Sequence, residues 1–161
     1  MVVASDALQR RSRTGMVDLE YLTQILAALV PMALTVALHG VGMSLVRNSF
    51  ERFGKPLLKR ERNRGARTLF TVGVVGVMVL THFSGIVVWA VAFRLLDLVP
   101  TTEIAMYYSM EYYTTLGVGV RKLPDGWAGF GGFEAMTGML MFGWSTAVLA
   151  AVVQRMHAID D

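Results

Sequence analysis

Three long runs without a single charged residue dominate this chain: Tyr21–Val46, Thr68–Phe93 and Ala135–Gln154. A helix needs roughly 20 residues to cross a hydrocarbon core about 30 Å thick, so each run is long enough to span. A buried helix of a water-soluble domain rarely stays uncharged for so long. Only 17% of the 161 residues are charged, where a soluble domain carries about 25%. The predicted class is an all-α integral membrane protein with transmembrane helices at about 21–46, 68–94 and 133–154. The first run exceeds the 7–15 residues of a signal-peptide core, and no small-residue cleavage site follows it. There is no cysteine, which excludes disulfides, thiol catalysis and cysteine metal sites.

Eight of the 15 basic residues lie between the first two runs: Arg47, Arg52, Lys55, Lys59, Arg60, Arg62, Arg64 and Arg67. A basic connection between two spans is the positive-inside signature, which makes 47–67 a cytoplasmic loop able to meet anionic lipid. Its location between spans argues against nucleic acid as the partner of this basic charge. With that loop inside, residues 1–20 are external and the C-terminus is cytoplasmic. Arg10, Arg11 and Arg13 oppose this orientation but are outnumbered.

The outer connection, Asp97–Gly132, holds the unusual sequence. Pro100-Thr101-Thr102-Glu103 is a helix start, with a threonine oxygen for the cap and Glu103 at the positive end of the dipole. The apolar, aromatic run that follows, about a dozen residues within a helix predicted over 101–114, measures roughly 18 Å, too short to span. It fits a re-entrant helix ending inside the membrane. Non-helical backbone at that depth must be covered by protein or line water. The segment 115–120 follows, with glycines at alternate positions, Gly117 and Gly119. Glycine adopts positive φ cheaply, and alternating backbone hands turn successive carbonyls to one side. Such a ladder replaces the hydration shell of a monovalent cation. Thr115 adds a hydroxyl, and the helix C-terminus presents its negative end to the ion. One such strand cannot encircle an ion, so several copies must meet on an axis.

At Thr114-Thr115-Leu116-Gly117-Val118-Gly119-Val120 the chain resembles the pore domain of two-transmembrane potassium channels, whose pattern is T-T-x-G-Y-G-D. It is most similar to small bacterial members with one extra N-terminal helix. The likeness covers roughly Pro100–Gln154, and Phe142-Gly143-Trp144-Ser145-Thr146 adds to it. The resemblance implies a homotetramer in a bacterial cell membrane. Potassium would then be the permeant ion, held by carbonyls of Thr115, Leu116, Gly117, Val118 and Gly119, with no other cofactor. Thr114, Tyr107 and Tyr108 would support the filter from behind. Val118 stands where the family has Tyr and Val120 where it has Asp, so selectivity relaxed toward sodium is one expected departure. A non-conducting membrane partner protein is another. Glu111 matches a pore-helix glutamate that pairs with the missing Asp, so it needs a proton or another partner, for which Arg121 is the candidate unless that residue is a solvated rim charge.

Gly138 and Gly143 in the last run fit either a gating hinge or close helix packing. Trp127 suits the outer aromatic belt. His39 and His82 are polar groups inside spans, about 12 Å and 21 Å from the inner ends of their runs. That difference argues against one shared metal, and interhelical hydrogen bonding is the expected role. Glu134 is expected to serve the N-terminus of the last helix. No arginine recurs at every third position, so no voltage sensor is expected. No phosphate loop, catalytic triad or metal cluster appears, so the chain does not read as an enzyme.

Overall fold

The structure, a computed structural model, describes residues 2–60, 64–117 and 122–158. Five α-helices run in chain order: α1 (Val2–Ser49), α2 (Lys55–Arg60), α3 (Arg64–Leu95), α4 (Thr102–Tyr113) and α5 (Phe130–His157). A π-helical turn, Phe50–Gly54, joins α1 to α2. No strand occurs among the described residues. Three helical stretches among them are long and apolar enough to cross a membrane: Leu19–Leu58, Gly65–Leu95 and Phe130–His157.

Each charge-free run lies within one of these stretches, but the helices overrun the runs. Loss of apolarity marks where a helix meets water, not where its backbone hydrogen bonds stop. The expected loop 47–67 is helical up to Arg60 and again from Arg64, and α1 already begins at Val2. Pro31 lies inside α1. Proline cannot donate to the carbonyl four residues back, a loss that neighbouring helices accommodate in membrane proteins.

α1 shows how the bundle is organised. Gln24, Ala28, Thr35, His39, Met43, Val46 and Phe50 are buried, at spacings of three, four or seven. They form one stripe of a 3.6-residue helix. The stripe contains the polar groups, whereas Leu22, Leu26, Leu29, Val30 and Leu34 are exposed. Polar inside and apolar outside is the arrangement a lipid solvent selects, because lipid cannot hydrogen-bond a side chain. Within the chain α1 packs against both α3 and α5, and α4 fits between α3 and α5. α1 thus contributes to the core of the chain's own bundle.

Two apolar clusters fill the interior. The first gathers Trp89, Phe93, Tyr108, Tyr113 and Phe130 around α4. The second joins Met43, Phe50, Leu58, Met78 and Val152 near the basic end. Between them in chain order on all three long helices lie His39, His82 and Ser145. Phe93 is fully buried and Leu80 is 70% exposed. Phe93→Ala should therefore lower stability by about 3–5 kcal/mol. Leu80→Ala, facing lipid, should cost less than about 0.5 kcal/mol. Reversible unfolding in mixed micelles measures both; equal losses would contradict the assigned faces.

Candidate functional site

The site is built where α3 hands the chain to α4. The α3 C-terminus closes with Leu98 N–H donating to Phe93 O at 3.0 Å and Asp97 N–H to Arg94 O at 3.1 Å. This paired closure puts Asp97 at φ +51°, a left-handed conformation that Asp tolerates. Thr101 then caps α4, its Oγ1 accepting from Ile104 N–H at 3.2 Å.

α4 ends with the same closure. Leu116 N–H donates to Glu111 O and Thr115 N–H to Tyr112 O, each at 3.0 Å. Thr114 Oγ1 donates to Met110 O at 2.6 Å. The left-handed position falls on Thr115, at φ +56°. A β-branched residue there is a conformational outlier costing roughly 1–2 kcal/mol. Gly117 follows at φ +62°, a position glycine takes without strain. Left-handed backbone thus occurs at Gly117, where it was expected, and also two residues earlier at Thr115, where it was not. Val118, Gly119, Val120 and Arg121 lie outside the described residues. Thr114, Thr115, Leu116 and Gly117 are all exposed on the single chain.

α4 turns its two sides to different surroundings. Tyr108 is buried edge-on against Phe93, with ring centres 6.4 Å apart, while Tyr107 is 45% exposed. Of the two tyrosines expected to support the filter, Tyr108 is thus buried within the chain and Tyr107 is exposed on it. Glu111 is half-buried, and the Arg121 proposed for it is among the residues not described.

α5 makes the seat on which α4 rests. A Cβ placed on Gly138 would collide with the carbonyl oxygen of Tyr113, and one on Gly143 would meet nothing within 4 Å. Of the two uses open to Gly138, close approach is what its geometry requires; Gly143 is open. Glu134 is not a helix-terminus residue. α5 begins at Phe130, with no acidic residue in its first turn. Glu134 is fully buried and bonded to Ser109 Oγ at 2.5 Å. Trp127 packs on Phe130, with ring centres 5.5 Å apart. Gln24 Oε1 of α1 accepts from Gly129 N–H at 3.0 Å, tying the first helix to the same connection.

His39 and His82 meet. Their ring centres are 4.9 Å apart, and Ser145 Oγ lies 3.0 Å from Nε2 of each. Interhelical hydrogen bonding is their role, as expected; the axial separation expected from the sequence fails because the helical stretch runs on past α1 through the π-helical turn, so the two runs end at different levels. Ser145 carries one proton, so it donates to one imidazole and accepts N–H from the other. His82 Nδ1 reaches Tyr113 OH at 3.2 Å, linking α1, α3 and α5 to the last residue of α4. Among the described residues no group of three or more His, Cys, Asp or Glu side chains is placed to hold a metal. Sequence reasoning overlooked Ser109, Tyr113 and Ser145; a small hydroxyl residue inside a charge-free run was the available signal for Ser145, and nothing comparable marked Ser109 or Tyr113.

No family model, curated protein or solved structure matches this chain.

Two outcomes follow from the seat and the polar hub. Gly138→Ala should destabilise by about 1–3 kcal/mol through overpacking against Tyr113. Gly143→Ala should be neutral or stabilise by up to about 1 kcal/mol. Ser145→Ala leaves the buried His39 and the half-buried His82 each short of a partner and should cost about 1–3 kcal/mol. Thermal unfolding of the purified protein in one detergent ranks all three variants.

Proposed function

We propose that this chain is one subunit of a homotetrameric cation channel that conducts potassium passively. α4 serves as a re-entrant pore helix, and the carbonyls of Thr115, Leu116, Gly117, Val118 and Gly119 form the selectivity filter. The observation that carries this reading is the backbone after α4. Left-handed φ recurs at Thr115 and Gly117 immediately beyond a helix too short to span. Strain on a β-branched residue persists where surrounding structure and function demand that conformation. Alternating hands are the geometry that stacks carbonyl oxygens along one side.

Exposure of residues 114–117 supports the assembly. Irregular backbone inside a bilayer needs protein or water around it, and a single chain supplies neither on that side. Further copies around an axis would cover Tyr107, Met110 and Leu116, which are 45%, 41% and 69% exposed. The short helix points its negative C-terminal end toward the axis, where a cation waits. The resemblance of the T-T-x-G-x-G segment to potassium channels supports four copies and potassium.

The basic end is assigned to the cytoplasm of a cell membrane, with the N-terminus outside. Arg47, Arg52 and Lys55 are exposed there, suited to anionic headgroups. Arg155 and Lys55 also meet Glu51, at 2.8 and 3.4 Å. Exposed pairs of this kind stabilise by at most about 1 kcal/mol each.

Purified protein in liposomes loaded with potassium or sodium tests the proposal, alongside native mass spectrometry of the oligomer. Potassium efflux from a tetramer is the expected result. Equal potassium and sodium flux would replace the selective pore with a non-selective one. A tetramer that passes neither ion would leave the chain as a channel-like membrane partner.

A further inference from the structure

α5 turns three residues toward α4 at helical spacing: Gly131, Glu134 and Gly138. Tyr112 lies over Gly131 and the Tyr113 carbonyl over Gly138, each too close to admit a Cβ. Between these two contacts, Glu134 meets Ser109. Both side chains are fully buried.

The hydrogen bonds around Ser109 do not balance for an ionised glutamate. Ser109 Oγ lies 2.7 Å from Ile86 O and 2.5 Å from Glu134 Oε1. A hydroxyl has one proton to donate, and a backbone carbonyl only accepts. If Ser109 donates to Ile86 O, its contact with Glu134 needs a proton from the glutamate. If it donates to Glu134, two lone-pair atoms face each other across 2.7 Å. No Lys, Arg or His among the described residues pairs with Glu134. Its Oε2 is buried with no hydrogen-bond partner, a placement that a full negative charge makes costly.

We infer that Glu134 is held as a neutral carboxylic acid that donates through Ser109 to the Ile86 carbonyl. This chain of two hydrogen bonds clamps α4 to α5 and α3 and sets the position of the Thr114–Gly117 segment. Each donor has one acceptor: the Glu134 proton goes to Ser109 Oγ, and the Ser109 proton goes to Ile86 O. The Ile86 oxygen uses the lone pair left free by its helix bond. Ser109 is in the second half of α4, one turn before Tyr113, so the clamp holds the end of the helix from which the exposed segment leaves. Glu134 is thereby a positioning residue that acts through Ser109 and touches no ion. Its bearing on ion passage rests on the proposed channel function; the clamp itself does not.

Infrared spectroscopy of the full protein in lipid nanodiscs at neutral pH tests the proton directly. The difference between wild type and Glu134→Gln should contain a carboxylic-acid C=O band belonging to the wild type. Only carboxylate bands in that difference would overturn the inference. Hydrogen exchange of the α4 amides tests the clamp. Ser109→Ala removes both bonds of the clamp and should speed exchange there at least about tenfold, the equivalent of one lost buried hydrogen bond or more. Glu134→Gln keeps a donor and an acceptor in the same shape, so it should stay within about twofold of wild type. Unchanged exchange in Ser109→Ala, or collapse of Glu134→Gln, would also overturn it. Potassium flux from liposomes separates the two readings: a silent wild type that retains the acid band and the exchange pattern defeats the channel and leaves the clamp standing.

Discussion

A hydrocarbon solvent offers no hydrogen bonds, and every unsatisfied backbone group within it costs several kcal/mol. Helices resolve this for the three long stretches because their bonds close within each segment. The constraint extends to side chains. Several polar side chains on the inward faces meet across helices. Gln24 reaches Gly129, His39 and His82 share Ser145, and Ser109 joins Ile86 to Glu134. These contacts cross between helices, so they select one packing among the many that apolar faces alone would allow.

α4 depends on that packing most. Its twelve residues make a helix near the length where isolated helices are marginal. Its surroundings hold it: an aromatic cluster on one side, the Gly131–Gly138 seat beneath, and the hydroxyl of Ser109 between two neighbours. A helix end fixed this firmly can impose a left-handed conformation on Thr115, which the chain would otherwise avoid. The strain of the exposed segment is thus sustained by apolar and hydrogen-bonded contacts made a turn or more away. In the proposed channel this is the preorganisation that carbonyl coordination of a cation requires.

The spans were legible because absence of charge over 20 residues has few physical explanations. The start of α4 was legible too, since Thr101 acts as the expected cap. Helix ends were less legible: charged residues can continue a helix after it leaves the apolar layer, which is how α1 overran Val46 and brought His39 level with His82. The role of Glu134 was hidden for a related reason. Its place near the edge of a charge-free run suggested a helix terminus, yet α5 begins a full turn earlier and directs that side chain inward. Nor could spacing distinguish Gly138 from Gly143, because only the approach of Tyr113 differs between them.

By itself the sequence determined an all-helical chain with three stretches able to cross a membrane and a short capped helix followed by a threonine- and glycine-rich segment. Hydropathy and local capping are short-range properties, carried by neighbouring residues. Tertiary structure alone decided which polar groups meet and which glycine is a seat. Each of those depends on atoms brought together from distant parts of the chain, and the chemistry of a buried side chain is set by what it faces.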